Sequence, residues 1–81
     1  MTQKEIKKIA KKNKLRISDV NAKSLKELIN ENYENYDLYS KGVIVKNTII
    51  KITKNAKRKT IKESDIDTFE KIILFSPYET N

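Results

Sequence analysis

The chain of 81 residues contains no cysteine and no histidine, and this absence constrains its fold more than any other feature. It excludes disulfide bonds and the Cys/His clusters that bind structural zinc. A chain of this length also buries only a modest hydrophobic core. Association with another copy of the chain is the remaining way to stabilise such a core, and we expect a dimer.

Apolar residues recur at helical spacing in three parts of the sequence, which predicts an all-α fold. A short amphipathic helix is expected over residues 3–13, with one apolar side and one lysine-rich side. Another is expected over residues 63–74, where Pro77 prevents its continuation. Loops over residues 14–17 and 55–62 connect these helices to the centre of the chain.

The centre of the sequence admits two interpretations. Apolar spacing permits one long helix over about residues 20–57, but the Asn- and Tyr-rich residues 30–42 could equally break it. The β-branched content of residues 43–53 also permits a strand, whereas the spacing of Ile49 and Ile52 favours a helix. A long central helix could not be buried by two short ones alone, so we expect a partner chain to complete the core.

Positive charge is concentrated in two blocks. Residues 1–16 contain seven basic residues and one acidic residue, and residues 41–62 contain eight basic residues and no acidic one. Residues 17–40 and 63–81 are net negative, and the whole chain carries a formal charge of +7. Segregated basic blocks predict a polyanionic partner, although a lysine-rich composition without a binding role is a simpler alternative.

The composition gives little support to other classes of function. The single glycine, Gly42, excludes glycine-rich phosphate loops. The lack of His and Cys removes the usual general base and the most nucleophilic side chain. We therefore expect no enzyme activity, no cofactor and no metal. A membrane-surface role for residues 3–15 is a weak alternative, because that segment has no aromatic anchors.

One short motif resembles a known family. Arg58 and Thr60, followed by Asp65, resemble the most specific local signature of the histone fold. Residues 55–66 are similar to the corresponding stretch of archaeal histones and of one eukaryotic core histone. Residues 16–19 resemble the first loop of archaeal histones. On these motifs the chain resembles a prokaryotic histone of archaeal or bacterial type.

This resemblance covers about residues 4–74 and implies one histone-fold domain over residues 1–81. That fold has a short helix, a long central helix and a short helix, and two chains form an intertwined dimer. The chain has roughly nine more residues than archaeal histones, about two and a half helical turns, as an insertion or extension around residues 33–42. It also has a short C-terminal tail over residues 75–81, and Asn55 stands where archaeal histones commonly have a histidine.

The resemblance also implies roles for individual residues. Arg58 would pair with Asp65 and hold the second loop in a fixed shape through charge-assisted hydrogen bonds. An ordinary surface ion pair of little energetic value is the alternative. In the dimer, this loop would lie beside the first loop of the other chain. The residues expected to contact DNA are Lys7, Lys8, Lys11, Lys12, Lys14, Arg16, Lys57, Lys59, Thr60 and Lys62.

Two groups of side chains have competing interpretations. The lysines of the first helix could form no more than its solvated face. Tyr33, Tyr36 and Tyr39 could stack on bases, but packing in the core or in an interface is the stronger interpretation.

The resemblance implies sequence-nonspecific binding of double-stranded DNA. A dimer, a tetramer or a higher oligomer would compact, bend or coat the chromosome. The expected location is the cytoplasm, in association with the nucleoid, because no apolar run approaches a membrane span of about eighteen residues. We expect no membrane partner and no small-molecule substrate. The alternative function is a histone-fold subunit that pairs with another protein, for which DNA contact would be secondary.

Overall fold

The computed structural model describes residues 1–75, which form four α-helices. The all-α class predicted from the sequence is confirmed for these residues. The predicted stop at Pro77 and residues 76–81 of the C-terminal tail lie outside the described range. The helices are α1 (Gln3–Lys12), α2 (Asp19–Asn32), α3 (Leu38–Ala56) and α4 (Glu63–Phe75).

Short polar side chains begin the first two helices. The Thr2 hydroxyl accepts a hydrogen bond from the backbone N–H of Glu5 at 3.2 Å, and the Glu5 carboxylate accepts one from the Thr2 N–H at 2.7 Å. This reciprocal capping box satisfies amide groups that have no partner inside α1. The Ser18 hydroxyl accepts from the N–H of Asn21 at 3.1 Å and caps α2 in the same way.

The centre of the chain forms two helices with a sharp reversal between them. The N–H of Tyr36 donates to the carbonyl of Tyr33 at 3.0 Å, and the two rings pack edge to face with centroids 5.1 Å apart. The Asp37 carboxylate then accepts from the N–H of Ser40 at 2.8 Å and caps α3. Of the two interpretations of residues 30–42, this chain therefore has the break, and residues 1–75 contain four helices where a three-helix order was expected.

Because α3 folds back, each helix can bury its apolar side within one chain. Helix α1 contacts α2 and α3, α4 also contacts α2 and α3, and within residues 1–75 α1 and α4 do not touch. A partner chain is needed to cover the core only if the central helix is uninterrupted, and in this chain α2 and α3 are separate helices. The buried apolar residues are Ile6, Ala10, Ala22, Leu25, Ile29, Tyr33, Ile44, Val45, Ile49, Ile52, Ile61, Ile66, Phe69 and Ile73.

The three tyrosines near the reversal occupy different environments. Tyr33 is buried and Tyr36 is half-buried against the core, as the packing interpretation predicted. Tyr39, in the first turn of α3, is 80% exposed. Tyr39 therefore does not pack in the core of this chain, and for this residue packing in an interface stays a prediction.

Removing the Phe69 ring should unfold or strongly destabilise the chain. This side chain is fully buried, and a Phe→Ala change in a core costs about 3–5 kcal/mol, comparable to the whole stability of a small domain. We expect thermal unfolding of Phe69→Ala, followed by circular dichroism, to lose its cooperative transition or to shift it down by roughly 15 °C or more. The matched control is Phe75→Ala in the same helix, where the ring is 81% exposed. Equal melting temperatures for the two variants would contradict the packing described here.

Candidate nucleic-acid interface

Residues 13–18 and residues 57–62 form two loops that lie side by side at one end of the bundle, and we call them the paired loops. The N–H of Arg16 donates to the carbonyl of Lys59, and the N–H of Ile61 donates to the carbonyl of Arg16, both at 2.8 Å. These bonds form within one chain, whereas the resemblance implied loops from two chains. The difference follows from the reversal between α2 and α3.

Alternation of side chains explains how the paired loops are both anchored and exposed. In an extended segment successive side chains point to opposite sides. Leu15 and Ile17 are half-buried against the core, and Ile61 is buried. Arg16 and Thr60, which form an isolated bridge across the two segments, are exposed. The apolar residues therefore fix the loops and leave the polar ones facing solvent.

An ion pair with two hydrogen bonds holds the second loop against α4. The two terminal nitrogens of Arg58 donate to the two carboxylate oxygens of Asp65, each at 2.8 Å. Arg58 also donates to the Thr60 carbonyl at 2.9 Å, and the N–H of Lys62 donates to Asp65 at 2.8 Å. The Asp65 side chain is only 3% exposed. Such a bidentate, buried contact is stronger than an ordinary surface ion pair.

The same contacts shift the ionisation of both partners. Hydrogen bonds from the Arg58 guanidinium hold the pKa of Asp65 below its ordinary value, with a smaller contribution from the Lys62 N–H, against the opposing effect of burial. The hydrogen bonds to Asp65 raise the pKa of Arg58. The pair is therefore charged at neutral pH, and its geometry fixes the backbone of residues 58–62.

All ten residues predicted to contact DNA are exposed. Backbone hydrogen bonds bring Arg16 and Lys59 together in the paired loops, and Thr60 lies beside them. Lys57 and Lys62 belong to the same second loop. Lys14 lies in the first loop, with a left-handed backbone of φ 60°.

The predicted lysines of α1 do not act as one group. Lys7 forms an ion pair with Asp19 at the start of α2, so part of its charge is already balanced. Lys8 and Lys12 lie on the side of α1 that faces α3. Lys11 is exposed.

A groove between α1 and α3, of about 630 Å³, contains a lysine that the sequence analysis did not single out. We call it the α1–α3 groove. Lys46 of α3 lines it together with Lys8 and Lys12 of α1. The sequence signal for Lys46 was present in the strongly basic block over residues 41–62. Lys46 was missed because the spacing of apolar residues alone does not show which side of a central helix is exposed.

A second groove, of about 520 Å³, runs beside the second paired loop. It is lined by Lys54, also missed in the sequence analysis, and by Lys57 and Lys59. Asn13 lines both grooves, so the two sets of lysines are neighbours on the surface. We call them together the basic band: Lys8, Lys12, Lys46, Lys54, Lys57 and Lys59.

Acidic residues collect on a different side of the bundle. Glu27 and Glu31 of α2 line a shallow groove with Asp67 and Glu70 of α4. Among the described residues no group of carboxylates is arranged to hold a metal ion. Because α4 lies across the bundle from α1, the charge blocks seen in the sequence become separate surfaces. The basic band and the paired loops thus lie apart from the acidic groove.

The chain matches no protein-family model, no curated protein and no solved structure. The likeness to histones therefore remains the resemblance of the residues quoted above. None of the helices in residues 1–75 is long and apolar enough to cross a membrane.

Replacing Arg58 with alanine should lower the melting temperature at neutral pH by roughly 5 °C or more. The change leaves the buried Asp65 carboxylate without its main partner. Because the folded-state pKa of Asp65 is depressed, the pair stabilises the fold above the unfolded-state pKa of about 3.9. That contribution is lost as the pH falls through the folded-state value.

The measurement is thermal melting of the wild type, of Arg58→Ala and of the exposed neighbour variant Lys59→Ala from pH 7 down to pH 2. The deficit of Arg58→Ala should shrink below about pH 4, while Lys59→Ala should melt like the wild type throughout. An Arg58→Ala variant that melts like the wild type at pH 7 would show that the pair does not stabilise the loop.

Proposed function

We propose that the chain binds double-stranded DNA without sequence preference and organises the chromosome by compacting, bending or coating it. One observation carries this proposal: Arg16, Lys59 and Thr60 are exposed side by side on loops fixed by backbone hydrogen bonds and by an ion pair. Cationic and hydroxyl side chains on rigid loops suit the oxygens of a phosphate.

The distribution of charge supports the same proposal. The basic band and the paired loops share one side of the molecule, and the acidic groove lies elsewhere. Lysine and arginine side chains that neutralise phosphates displace condensed counterions, so binding should weaken steeply with salt. Phosphate contacts carry no base information, and any preference would reflect how readily a sequence bends.

We further propose that two chains form a histone-type dimer in which α2 and α3 join as one helix. Residues 33–37 contain neither glycine nor proline, so their sequence does not forbid a helix. The contact between Arg16 and Thr60 would then form between chains, and one folded-back chain would correspond to half of the dimer. Each dimer would carry two sets of paired loops, and tetramers or longer assemblies would be built from it.

Duplex binding should be similar for unrelated sequences and should fall steeply with salt. Fluorescence anisotropy with several labelled duplexes measures both properties. Lys59→Ala should weaken binding and lower the slope of log K against log salt by about one. The control Lys71→Ala, on α4, should change binding less. If the wild type binds no duplex at low salt, the alternative of a subunit that pairs with another protein becomes the better proposal.

A proline at position 38 should be compatible with the folded-back chain and should prevent formation of the dimer. Leu38 is the first residue of α3, a position where proline is well tolerated. Asp37 before it has extended backbone (φ −74°, ψ 171°), as a residue preceding proline requires. A helix running without interruption from α2 to α3 would instead be broken by proline at this position.

In analytical ultracentrifugation we expect the wild type and Leu38→Ala to sediment as dimers. Leu38→Pro should be folded and monomeric, and it should still bind duplex DNA with lower affinity because it carries one set of paired loops. A monomeric wild type would contradict the dimer but not the DNA-binding proposal.

A further inference from the structure

The only glycine of the chain has no structural explanation in the fold. Gly42 lies inside α3, where glycine is less stabilising than alanine. Its φ is not positive, so its backbone is open to other residues. A Cβ built at this position would lie 3.7 Å from the side chains of Ile9 and Met1, an ordinary contact distance. A remaining reason for glycine at this position is that a ligand approaches the helix backbone closely there.

Gly42 lies in the α1–α3 groove, beside the exposed ring of Tyr39. Residues three, four and seven apart share one side of a helix, and Tyr39, Gly42, Val43 and Lys46 have this spacing. On the facing side of α1, Ile9 adds an apolar surface to the groove. The groove thus combines an exposed aromatic ring, an apolar floor and a position without a side chain.

The border of this groove is basic. Lys8, Lys12 and Lys46 line it, against one carboxylate, that of Glu5. The groove meets the second groove at Asn13, so the lysines continue along the surface as the basic band. A row of cations of this kind complements a linear polyanion better than it complements a compact anion.

We propose that the α1–α3 groove binds single-stranded nucleic acid. One base stacks on the Tyr39 ring above the backbone of Gly42, and neighbouring phosphates lie against the lysines of the basic band. An aromatic platform combined with a cationic track is the arrangement that binds unpaired strands, because every base has a stacking face. A duplex keeps its bases stacked on one another and does not use this platform. The site therefore goes beyond duplex binding and does not depend on it.

The test is anisotropy of a labelled oligo(dT) of about fifteen nucleotides, a length within the usual range of single-strand site sizes. The wild type should bind it, and Tyr39→Ala should bind roughly fivefold more weakly or worse, as expected for loss of one stacking contact. Tyr39→Phe should retain binding because the ring remains. Phe75→Ala, which removes an equally exposed ring on α4, is the matched control and should bind like the wild type.

Gly42→Ala tests the groove by a change that should not destabilise the fold. The added methyl group should raise the melting temperature, because alanine favours the helix, and should weaken oligo(dT) binding by obstructing the floor. The duplex affinity of Tyr39→Ala should equal that of the wild type. Failure of the single-strand proposal can therefore be told apart from failure of the duplex-binding proposal.

Two results would overturn the inference: a wild type that does not bind oligo(dT), and unchanged oligo(dT) binding by Tyr39→Ala. If Tyr39→Ala with unchanged binding also loses self-association in sedimentation, the groove is assigned to a protein interface instead.

Discussion

The reversal of the chain between α2 and α3 is the constraint on which the rest of this structure depends. It allows α1 and α4 to pack on the two central helices from opposite sides, so the core closes within one chain. It also brings the two loops together, where Arg16 exchanges backbone hydrogen bonds with Lys59 and Ile61. The α1–α3 groove is a further consequence, because in the folded-back chain α3 lies alongside α1. The reversal is held by contacts that include the edge-to-face tyrosine pair, the turn at Tyr36, the Asp37 cap and a hydrogen bond from Lys41 to Asn30.

Rigid loops and segregated charge have separate physical origins in this protein. Buried Ile61 and the bidentate contact between Arg58 and Asp65 fix the loop backbone. The charged side chains of Arg16, Lys57, Lys59 and Lys62 project from these loops into solvent. Because the acidic residues lie mainly on α2 and α4, the fold turns a charge pattern along the chain into a charge difference between two sides. That separation would set the side from which the proposed polyanionic partner approaches.

Much of the local structure could be predicted from the residues themselves. The predicted helix over residues 3–13 matches α1 within one residue, and the one over residues 63–74 matches α4 within one residue, because apolar spacing and capping residues act locally. Other features could not be predicted. For the reversal, the sequence left a break and a continuous helix equally open, because residues 33–37 contain no glycine or proline to mark a break. Exposure of Lys46, Lys54 and Tyr39 depends on which side of α3 the bundle covers, and spacing does not specify that side.

The sequence by itself determined the helical class, the ends of the outer helices, the concentration of basic residues in two segments and the residues able to form the Arg58 contact. These properties depend on neighbours within a few positions, so they can be recognised without knowing the fold. Only the tertiary structure decided that the central segment divides, that the two loops pair within one chain, and that lysines from α1 and α3 form one band. The loop pairing and the lysine band arise from contacts between residues thirty or more positions apart. The division of the central segment uses local contacts, but whether they replace a continuous helix depends on the energy of the whole packed core.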